Sequence, residues 1–263
     1  MILFNADMDH TMIYSYKHDI GKEKRCVERY HGREVSFITE ETYALLRQVK
    51  EIAAFVPTTT RTKEQYERID LGIGACHYAL VCNGGVLLVD GREDVSWYKK
   101  SLELTSDARE TLAYGAWLLE RDHTRCFEVR IIQGLFTFTK SEKPLACVER
   151  LKQQLDASKA DVFSNGIKVY IVPKKLDKGT AVLRLKEKVK ADHVIAVGDS
   201  AFDVPMLNAA DTAIAPAELR GTAGLREGVA YMPGSRVFSE ELLSYIYKNF
   251  RVFTKENRKK TDK

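Results

Sequence analysis

Two aspartates, Asp7 and Asp9, stand one residue apart after the apolar run Ile2-Leu3-Phe4, in the stretch NADMDHTMI. Neighbouring carboxylates repel each other unless something positive lies between them. A cation, a phosphate-bearing substrate or plain solvent would each resolve the repulsion. Residues i and i+2 of an extended strand share a face, so both carboxylates could reach one ligand from one rigid element.

Polar side chains also follow two later apolar runs. Thr58-Thr59-Thr60-Arg61 closes the run that begins at Ile52, and Gly198-Asp199-Ser200 closes HVIAVG, with Asp203 four residues after Asp199. The carboxyl ends of strands in an open α/β sheet face one crevice, so we expect these groups to converge. Asp7, Asp9 and Asp199 would form an oxygen-only cluster, which suits Mg²⁺ better than zinc or copper. Lys178, at the start of a predicted helix, could add a positive charge at the rim.

Alternating apolar strands and amphipathic helices would position these residues. This pattern predicts an α/β fold, a Rossmann-like doubly wound sheet that is largely parallel. Helices are predicted between the strands, the first opening with Thr39 as its N-cap. The predicted strands are ILFNA (2–6), IAAFVPT (52–58), YALVC (78–82), HVIAVG (193–198) and TAIAP (212–216).

The middle third of the chain follows a different pattern, helix–strand–strand repeated twice. Turns are indicated near Gln133-Gly134 and at Asn165-Gly166, the second a strong hairpin signal. We therefore predict an α+β cap inserted at 85–172. The host core would comprise 1–84 and 173–250, followed by a disordered basic tail over 251–263.

A segment rich in Lys, Arg and His, residues 14–37, separates the first strand from its helix. Its second half predicts a small hairpin that turns at His31-Gly32. A loop at this place overhangs the carboxyl edge of the sheet, so it is either a flap that carries basic groups to an anionic substrate or a solvated surface hairpin. The flap candidates are His18, Lys22, Lys24, Arg25 and Arg29.

Composition argues against a membrane protein, a secreted protein and a nucleic-acid-binding protein. The 263 residues are 44% hydrophobic and 30% charged, no apolar run is long enough to span a membrane, and the N-terminus has no signal-peptide pattern. The five cysteines form no CxxC pair, so we expect reduced thiols and a cytoplasmic protein. The net charge of +4 lies in the tail, which leaves 35 basic and 35 acidic residues elsewhere and argues against nucleic-acid binding. Oligomeric state has no signal in the sequence.

The four motifs, in this order, resemble those of the haloacid dehalogenase superfamily of phosphotransferases. DMDHT is similar to the D-x-D-x-T first motif, TTR (59–61) to the second, the lysine of LDKGTAV to the third, and GDSAFDVPML (198–207) to the acidic fourth. An α+β insertion between the second and third motifs resembles the Cof-type branch with a type IIB cap. That branch includes sugar phosphatases, sucrose-phosphate and mannosylphosphoglycerate phosphatases, and phosphomannomutases.

The resemblance implies a role for each matching residue. Asp7 would be the nucleophile that forms an aspartyl-phosphate, and Asp9 would protonate the leaving alkoxide and then activate water. Thr59 and Lys178 would bind the non-transferred phosphate oxygens. Mg²⁺ would be held by the Asp7 side chain, the Asp9 backbone carbonyl and Asp199, with Asp203 supporting or ligating. Arg61 is a candidate for substrate binding or for pairing with an acidic neighbour.

Two positions depart from the family pattern. His10 stands where the family usually has Gly; it could narrow the site or contact substrate, or be an exposed loop histidine. Phe202 stands where Asn is frequent, which removes one polar neighbour of the metal. The expected function is a Mg²⁺-dependent phosphatase of a small phosphorylated metabolite, most simply a sugar phosphate. A phosphohexomutase and a non-catalytic regulatory or binding protein are the alternatives.

Overall fold

The computed structural model describes the backbone of residues 1–261 and the side chains of residues 1–251. The chain divides into two compact units. The first is built from Met1–Glu93 and Lys178–Lys263, and the second is Asp94–Asp177. The inserted unit therefore begins nine residues later and ends five residues later than the predicted range 85–172. Its start is later because the short strands after Gly85 pair within the first unit.

Strands predominate before the insertion. The elements there are β1 (Ile2–Ala6), β2 (Tyr14–Ser15), β3 (Lys24–Tyr30), β4 (Arg33–Thr39), α1 (Glu40–Lys50), β5 (Ala54–Pro57), α2 (Lys63–Tyr66), β6 (Tyr78–Val81), β7 (Val86–Val89) and β8 (Arg92–Glu93). The inserted unit contains α3 (Val95–Leu104), α4 (Arg109–Glu120), β9 (Arg130–Ile132), β10 (Phe136–Lys140), α5 (Pro144–Lys152), β11 (Ala160–Asn165) and β12 (Lys168–Pro173). The remainder of the first unit is α6 (Lys178–Val189), β13 (His193–Val197), α7 (Val204–Ala209), β14 (Thr212–Pro216), β15 (Ala230–Met232) and α8 (Phe238–Thr261).

The central sheet of the first unit is parallel and has the strand order β15-β14-β13-β1-β5. The strand β1, which lies between β13 and β5, is buried on both faces, since Leu3, Phe4 and Asn5 are all fully inaccessible. Burial on both faces is what a parallel sheet covered by helices requires, and it explains the unbroken apolar run in the sequence. The predicted α/β fold with a doubly wound parallel core is confirmed.

The strand β6, predicted from YALVC, lies outside this parallel sheet. It pairs antiparallel with β7 in a separate sheet of order β6-β7-β8. The turn between β6 and β7 forms because Asn83 adopts a positive φ of 58° and Gly84 one of 85°. An apolar run predicts a buried strand but not the strand with which it pairs. The sequence pattern therefore could not show whether β6 belongs to the parallel sheet or to the antiparallel sheet β6-β7-β8.

Residues 14–37 contain the predicted hairpin. β3 and β4 pair antiparallel and meet at Tyr30↔Arg33, and the two turn residues His31 and Gly32 both have positive φ, 48° and 74°. These angles match the turn type that a two-residue hairpin favours. β2 completes a three-stranded sheet on the other edge of β4.

The inserted unit has its own antiparallel sheet of order β11-β12-β10-β9. Both predicted turns are present, with Gly134 at φ 68° and Gly166 at φ 56°. Helices α4 and α5 pack on this sheet through an apolar cluster that includes Leu119, Leu151 and Ile171. The predicted α+β character of the insertion is confirmed, and all buried residues of this cluster belong to the inserted unit itself.

The last helix, α8, continues to Thr261. We predicted a disordered segment from residue 251, whereas the backbone there is helical as far as 261, since this stretch contains no Gly or Pro to end the helix. The side chains beyond Arg251 and residues 262–263 lie outside the described part of the chain. Within the described residues, no helix has the length and apolar character needed to cross a membrane.

Candidate active site

The loop after β1 carries the first motif and is fixed by backbone hydrogen bonds. The N–H of Asp7 donates to the carbonyl of Val197 on the adjacent strand at 3.0 Å, and the N–H groups of Met12 and Ile13 both donate to Met8 at 2.9 and 2.8 Å. The chain thus turns back on itself directly after the strand. Asp7 is held at the strand end with 8% of its surface exposed.

Lys178, the first residue of α6, is 1% exposed and lies against two carboxylates. Its Nζ donates to Asp7 Oδ1 and, at 2.6 Å, to Asp203 Oδ1. A buried ammonium group is tolerated only where carboxylates neutralise it, so the three charges stabilise one another. The lysine that the sequence placed at the rim is in fact at the centre of the site.

Asp203 uses both of its carboxylate oxygens inside the protein. Oδ1 accepts from Lys178, and Oδ2 accepts from the N–H groups of Asp199 (3.2 Å) and Ser200 (3.1 Å) and from the Ser200 hydroxyl (2.9 Å). A Cβ at Gly198 would lie 2.3 Å from the Cβ of Asp203, so only glycine fits at that position. Asp203 therefore shapes the loop that presents Asp199, which favours the supporting role over the ligating one.

Asp199 faces the first-motif loop. Thr11 Oγ1 donates to Asp199 Oδ1 at 2.7 Å, which links the loops after β1 and β13. Thr11 is fully buried, and this hydrogen bond explains why the motif DMDHT has a hydroxyl residue four positions after Asp7. Neither Thr11 nor Ser200 was among the predicted site residues, although both stand inside the quoted motifs.

Burial and neighbouring charges shift the pKa values of the acidic residues at this site. Burial raises the pKa of Asp7; the charge of Lys178 opposes the rise, and Asp203 and Asp199 add to it, so the pKa stands well above its ordinary value. Burial and the neighbouring Asp203 raise the pKa of Asp199 to about 6. For Lys178, burial lowers the pKa but the two aspartates outweigh that effect and raise it, so the ammonium stays charged. The cluster holds more negative charge than Lys178 neutralises.

These carboxylates suit a hard divalent cation. One oxygen from each of Asp7, Asp199 and Asp203 lies within 4.8 Å of the others. An all-oxygen carboxylate set fits Mg²⁺, and excess negative charge in a buried cluster is what such an ion would relieve. Asp7 and Asp199 would supply side-chain oxygens to the ion, because both oxygens of Asp203 already accept hydrogen bonds inside the protein.

Asp9 is held by Arg61. The guanidinium donates from Nε to Asp9 Oδ2 at 2.8 Å and from Nη2 to Asp9 Oδ1 at 2.7 Å, a two-point contact with both oxygens. The Asp9 side chain remains 48% exposed, whereas that of Arg61 is 14% exposed. The sequence left two roles open for Arg61, and the structure shows the pairing with an acidic neighbour, Asp9. A contact between Arg61 and substrate stays a prediction.

Glu28 on β3 is a second acidic partner of Arg61, one that the sequence did not indicate. Its Oε1 lies 2.9 Å from Arg61 Nη1 and 3.0 Å from Arg68 Nη2, and its side chain is only 2% exposed. Burial disfavours the charged form of Glu28, but the hydrogen bonds from Arg61, Ser36 and Arg68 outweigh burial and lower its pKa. Glu28 is thus a buried anion at neutral pH.

Thr59 lies at the end of β5, 1% exposed, with its N–H on the Leu80 carbonyl at 2.8 Å. Its hydroxyl accepts the Arg61 N–H at 3.1 Å, so it caps the turn that carries the arginine. The preceding Thr58 instead bonds Asn5 Nδ2 at 3.0 Å inside the core. The role of Thr59 as a phosphate ligand stays a prediction.

His10 adopts the left-handed backbone conformation, with φ of 64°. Glycine reaches that region without steric cost, which explains why the related motif has Gly at this position. The ring of His10 packs edge-on against that of His18, with centroids 4.9 Å apart. His10 is exposed at the surface of the loop, and a contact with substrate stays a prediction.

Three of the other flap candidates contact residues of the hairpin or of α1. Arg25 pairs with Glu40 at 2.5 Å, Arg29 pairs with Glu34 at 2.5 Å, and Lys24 Nζ lies 5.1 Å from the centre of the Phe37 ring. These contacts fit a surface hairpin better than a basic flap. The five cysteines, all within the described residues, are free thiols.

Part of this chain is similar in sequence to known proteins. Residues 120–218 match the family model described as haloacid dehalogenase-like hydrolase. A phosphoglycolate phosphatase from Methanopyrus kandleri is 31% identical over 140 residues, 51% of this chain and 57% of that protein. The chain thus matches only a little more than half the length of that relative.

Two solved structures share the fold. A sucrose-phosphatase from Synechocystis superposes with a TM-score of 0.63 at 14% identity, covering 94% of this chain and 97% of the other. A haloacid dehalogenase-like hydrolase from B. subtilis gives a TM-score of 0.55 at 17% identity, covering 95% and 99%. The resemblance to haloacid dehalogenase-like hydrolases that the motifs predicted is confirmed.

Proposed function

We propose that this protein is a Mg²⁺-dependent phosphomonoesterase that acts on a small phosphorylated metabolite, with a sugar phosphate as the favoured class, through an aspartyl-phosphate on Asp7. The observation that carries the proposal is the buried Lys178, which donates hydrogen bonds to Asp7 and Asp203 beside Asp199. A site that only stabilised the fold would gain nothing from three clustered acids at a ligand-binding sheet edge.

The first chemical step uses Asp7 and Asp9. A carboxylate oxygen of Asp7 attacks phosphorus, the P–O bond to the leaving alcohol breaks, and Asp9 donates the proton that the departing oxygen requires. Lys178 holds Asp7 Oδ1, which leaves Oδ2 as the attacking atom, and its charge offsets the approach of one anion to another.

The second step releases phosphate. Water attacks the phosphorus of the aspartyl-phosphate, Asp9 takes the proton from that water, and the bond to Asp7 breaks to regenerate its carboxylate. When bound, Mg²⁺ would neutralise charge that develops on the phosphoryl oxygens, with Asp7 and Asp199 as its side-chain ligands. The contribution of the inserted unit to substrate selection, and the cytoplasmic location, stay predictions.

A phosphate-release panel with and without Mg²⁺ tests the proposal, comparing wild type with Asp7→Asn. Phosphoglycolate, sucrose phosphate and hexose 6-phosphates are suitable substrates, since similar proteins are named for two of them. We expect Mg²⁺-dependent release by wild type and a loss of at least about 10³-fold in the variant, as for removal of a nucleophile. Equal activity of the two proteins would refute Asp7 as nucleophile.

The same panel separates the alternatives. Conversion of a hexose 1-phosphate to the 6-phosphate without free phosphate would identify a phosphohexomutase. No turnover of any substrate, with Mg²⁺ binding retained, would favour a regulatory or binding protein.

A further inference from the structure

A chain of buried hydrogen bonds leads from the last helix to the carboxylate of Asp199. The N–H of Ser239 donates to Tyr14 Oη at 3.1 Å, and that hydroxyl donates to the Thr11 carbonyl at 3.1 Å. Thr11 Oγ1 then donates to Asp199 Oδ1 at 2.7 Å. Ser239 and Thr11 are fully buried, and Tyr14 is 4% exposed. Because water does not reach these groups, each of them depends on its partner in the protein.

The start of α8 explains why a phenol suits this place. Ser239 is the second residue of the helix, so its N–H is one of the first four, which have no acceptor within the helix. Tyr14 Oη accepts this N–H, and because the phenol carries a proton of its own, it also donates to the Thr11 carbonyl. Phenylalanine would fill the same space but would remove both hydrogen bonds.

Tyr14 stands on a rigid element. It is the first residue of β2, where it pairs with Phe37 of β4, and its side chain is buried. The hydroxyl therefore holds the Thr11 carbonyl at a fixed place. Since the carbonyl and the side chain of Thr11 are joined through one α-carbon, fixing the carbonyl also restrains the hydroxyl that contacts Asp199.

Two contacts hold different parts of Asp199. Asp203 Oδ2 accepts the N–H of Asp199 at 3.2 Å and so fixes its backbone, whereas Thr11 Oγ1 contacts the carboxylate itself. A carboxylate that is already held in one orientation loses less conformational freedom when a cation binds. Removing a hydrogen-bond partner of a metal-ligating group commonly weakens metal binding about 10–100-fold.

We propose that Tyr14 is a positioning residue of the candidate metal site: its hydroxyl fixes Thr11, and Thr11 in turn holds the Asp199 carboxylate in the orientation that binds the cation. This inference rests on the proposed function, in which Asp199 is a ligand of Mg²⁺. It also gives α8 a part in the site, because the first turn of that helix anchors a tyrosine 225 residues away in sequence.

Isothermal titration of the EDTA-stripped, dialysed protein with Mg²⁺ measures the affinity without any substrate. We expect Tyr14→Phe to raise the dissociation constant at least about 5-fold, and Thr11→Val, which removes the direct partner of Asp199, to raise it about 10–100-fold. Thr11→Ser keeps the hydroxyl and should bind Mg²⁺ as wild type does.

The double variant Tyr14→Phe/Thr11→Val tests the order of the chain. If Tyr14 acts through Thr11, its hydroxyl has no effect on Asp199 once the Thr11 hydroxyl is gone. The double variant should therefore bind Mg²⁺ as tightly as Thr11→Val alone. A loss equal to the product of the two single losses would show that Tyr14 acts independently of Thr11, which would overturn the inference.

Two control variants separate positioning from a loss of stability. Tyr16→Phe removes a hydroxyl from the same segment, but Tyr16 is 61% exposed and its loss should leave the affinity unchanged. Ile246→Val truncates a fully buried side chain of α8 and should lower the urea midpoint without changing the affinity. Titrations are made where circular dichroism shows fully folded protein, because unfolding lowers the apparent affinity only where the unfolded chain is populated.

If Tyr14→Phe is not fully folded in buffer, all variants are titrated in trimethylamine N-oxide, which favours the folded state. An unchanged affinity of folded Tyr14→Phe would overturn the inference while the proposed function stands. An equal loss in Ile246→Val would overturn it as well, because stability and not position would then set the affinity. If wild type binds no Mg²⁺, the proposed metal dependence fails, and the positioning role fails with it.

Discussion

Replacing Lys178 with methionine should destabilise the first unit severely at neutral pH. Methionine matches the length of the side chain but leaves the buried Asp7 and Asp203 without their cation. Lys178 Nζ lies 2.6 Å from Asp203 Oδ1, and a pair at that distance attracts by roughly 6 kcal/mol at an effective dielectric constant of about 20. Removing one partner of such a buried pair costs about 3–5 kcal/mol net.

The loss should shrink in acid. Asp7 and Asp199 have raised pKa values in the folded state, whereas an unfolded aspartate titrates near 3.9. Near pH 5 the folded variant therefore binds protons that the unfolded chain does not, so lowering the pH from 7.5 to 5.0 stabilises the fold. We expect the loss of unfolding free energy to fall below about 2 kcal/mol at pH 5.0, as the uncompensated charge disappears.

Urea unfolding in EDTA, followed by far-ultraviolet circular dichroism, measures this effect. Circular dichroism is needed because both tryptophans, Trp97 and Trp117, lie in the inserted unit and report on it alone. Lys186→Met on the same helix is the matched control, since its pair with Asp211 is about a third exposed and should be worth less than about 1 kcal/mol. An unchanged urea midpoint for Lys178→Met at pH 7.5, or a loss that persists at pH 5.0, would refute the reasoning.

Three more predictions follow from the described contacts. Mg²⁺ should raise the melting temperature more at pH 7.5 than at pH 5.0, because the pKa of Asp199 near 6 lets protons compete with the ion in acid, and an equal rise at both pH values would contradict this. Asp122→Asn should cost the inserted unit about 1.5–3 kcal/mol at pH 7 by tryptophan fluorescence. Burial opposes the ionised form of Asp122, but the hydrogen bond from Arg150 outweighs burial and lowers the pKa of Asp122. The stabilisation that this ion pair contributes is therefore present above about pH 4 and is lost as the pH falls through the folded pKa. A cost of Asp122→Asn that does not depend on pH would show that the ion pair is unimportant. His10→Gly should raise the unfolding free energy by about 0.5–1 kcal/mol because φ of 64° is strained for histidine, and a measured decrease would mean that the contact with His18 outweighs the strain.

Residues that directly follow strands were the part of the site that the sequence revealed best. Asp7 and Asp199 come together as expected, because strand order alone brings the carboxyl ends of β1 and β13 side by side. The third carboxylate of the cluster is that of Asp203, whereas the Asp9 carboxylate, which we expected there, is bound by Arg61. Lys178 was predicted as a motif residue, but its burial was not, since nothing in a lysine reports whether its charge will be neutralised by distant acids.

Glu28 shows what the sequence could not reveal. In a regular strand it would alternate with Val27 and face solvent, and the bulge that turns it inward depends on how β3 registers against β4. Arg61 was ambiguous for a related reason, because a guanidinium can bind phosphate or carboxylate equally well and only the fold specifies which one it meets. His10 became explicable only through its φ, a property that the residue type disguises.

The interrupted connectivity of the first unit affects how the protein is made. Asp7 and Lys178 are 171 residues apart, and Thr11 and Asp199 are 188 apart. At about 5–20 residues per second, roughly 10–35 s of synthesis separate Asp7 from its lysine. During that interval the inserted unit can complete its own sheet, because its strands pair with one another. The strand β1 cannot pair with β13 until β13 has been synthesised. A chain that ends directly after residue 177 would therefore contain the whole inserted unit but could not assemble the acidic cluster, because Lys178, Asp199 and Asp203 would be missing. At that stage chaperone demand should fall on the first strand and not on the insertion.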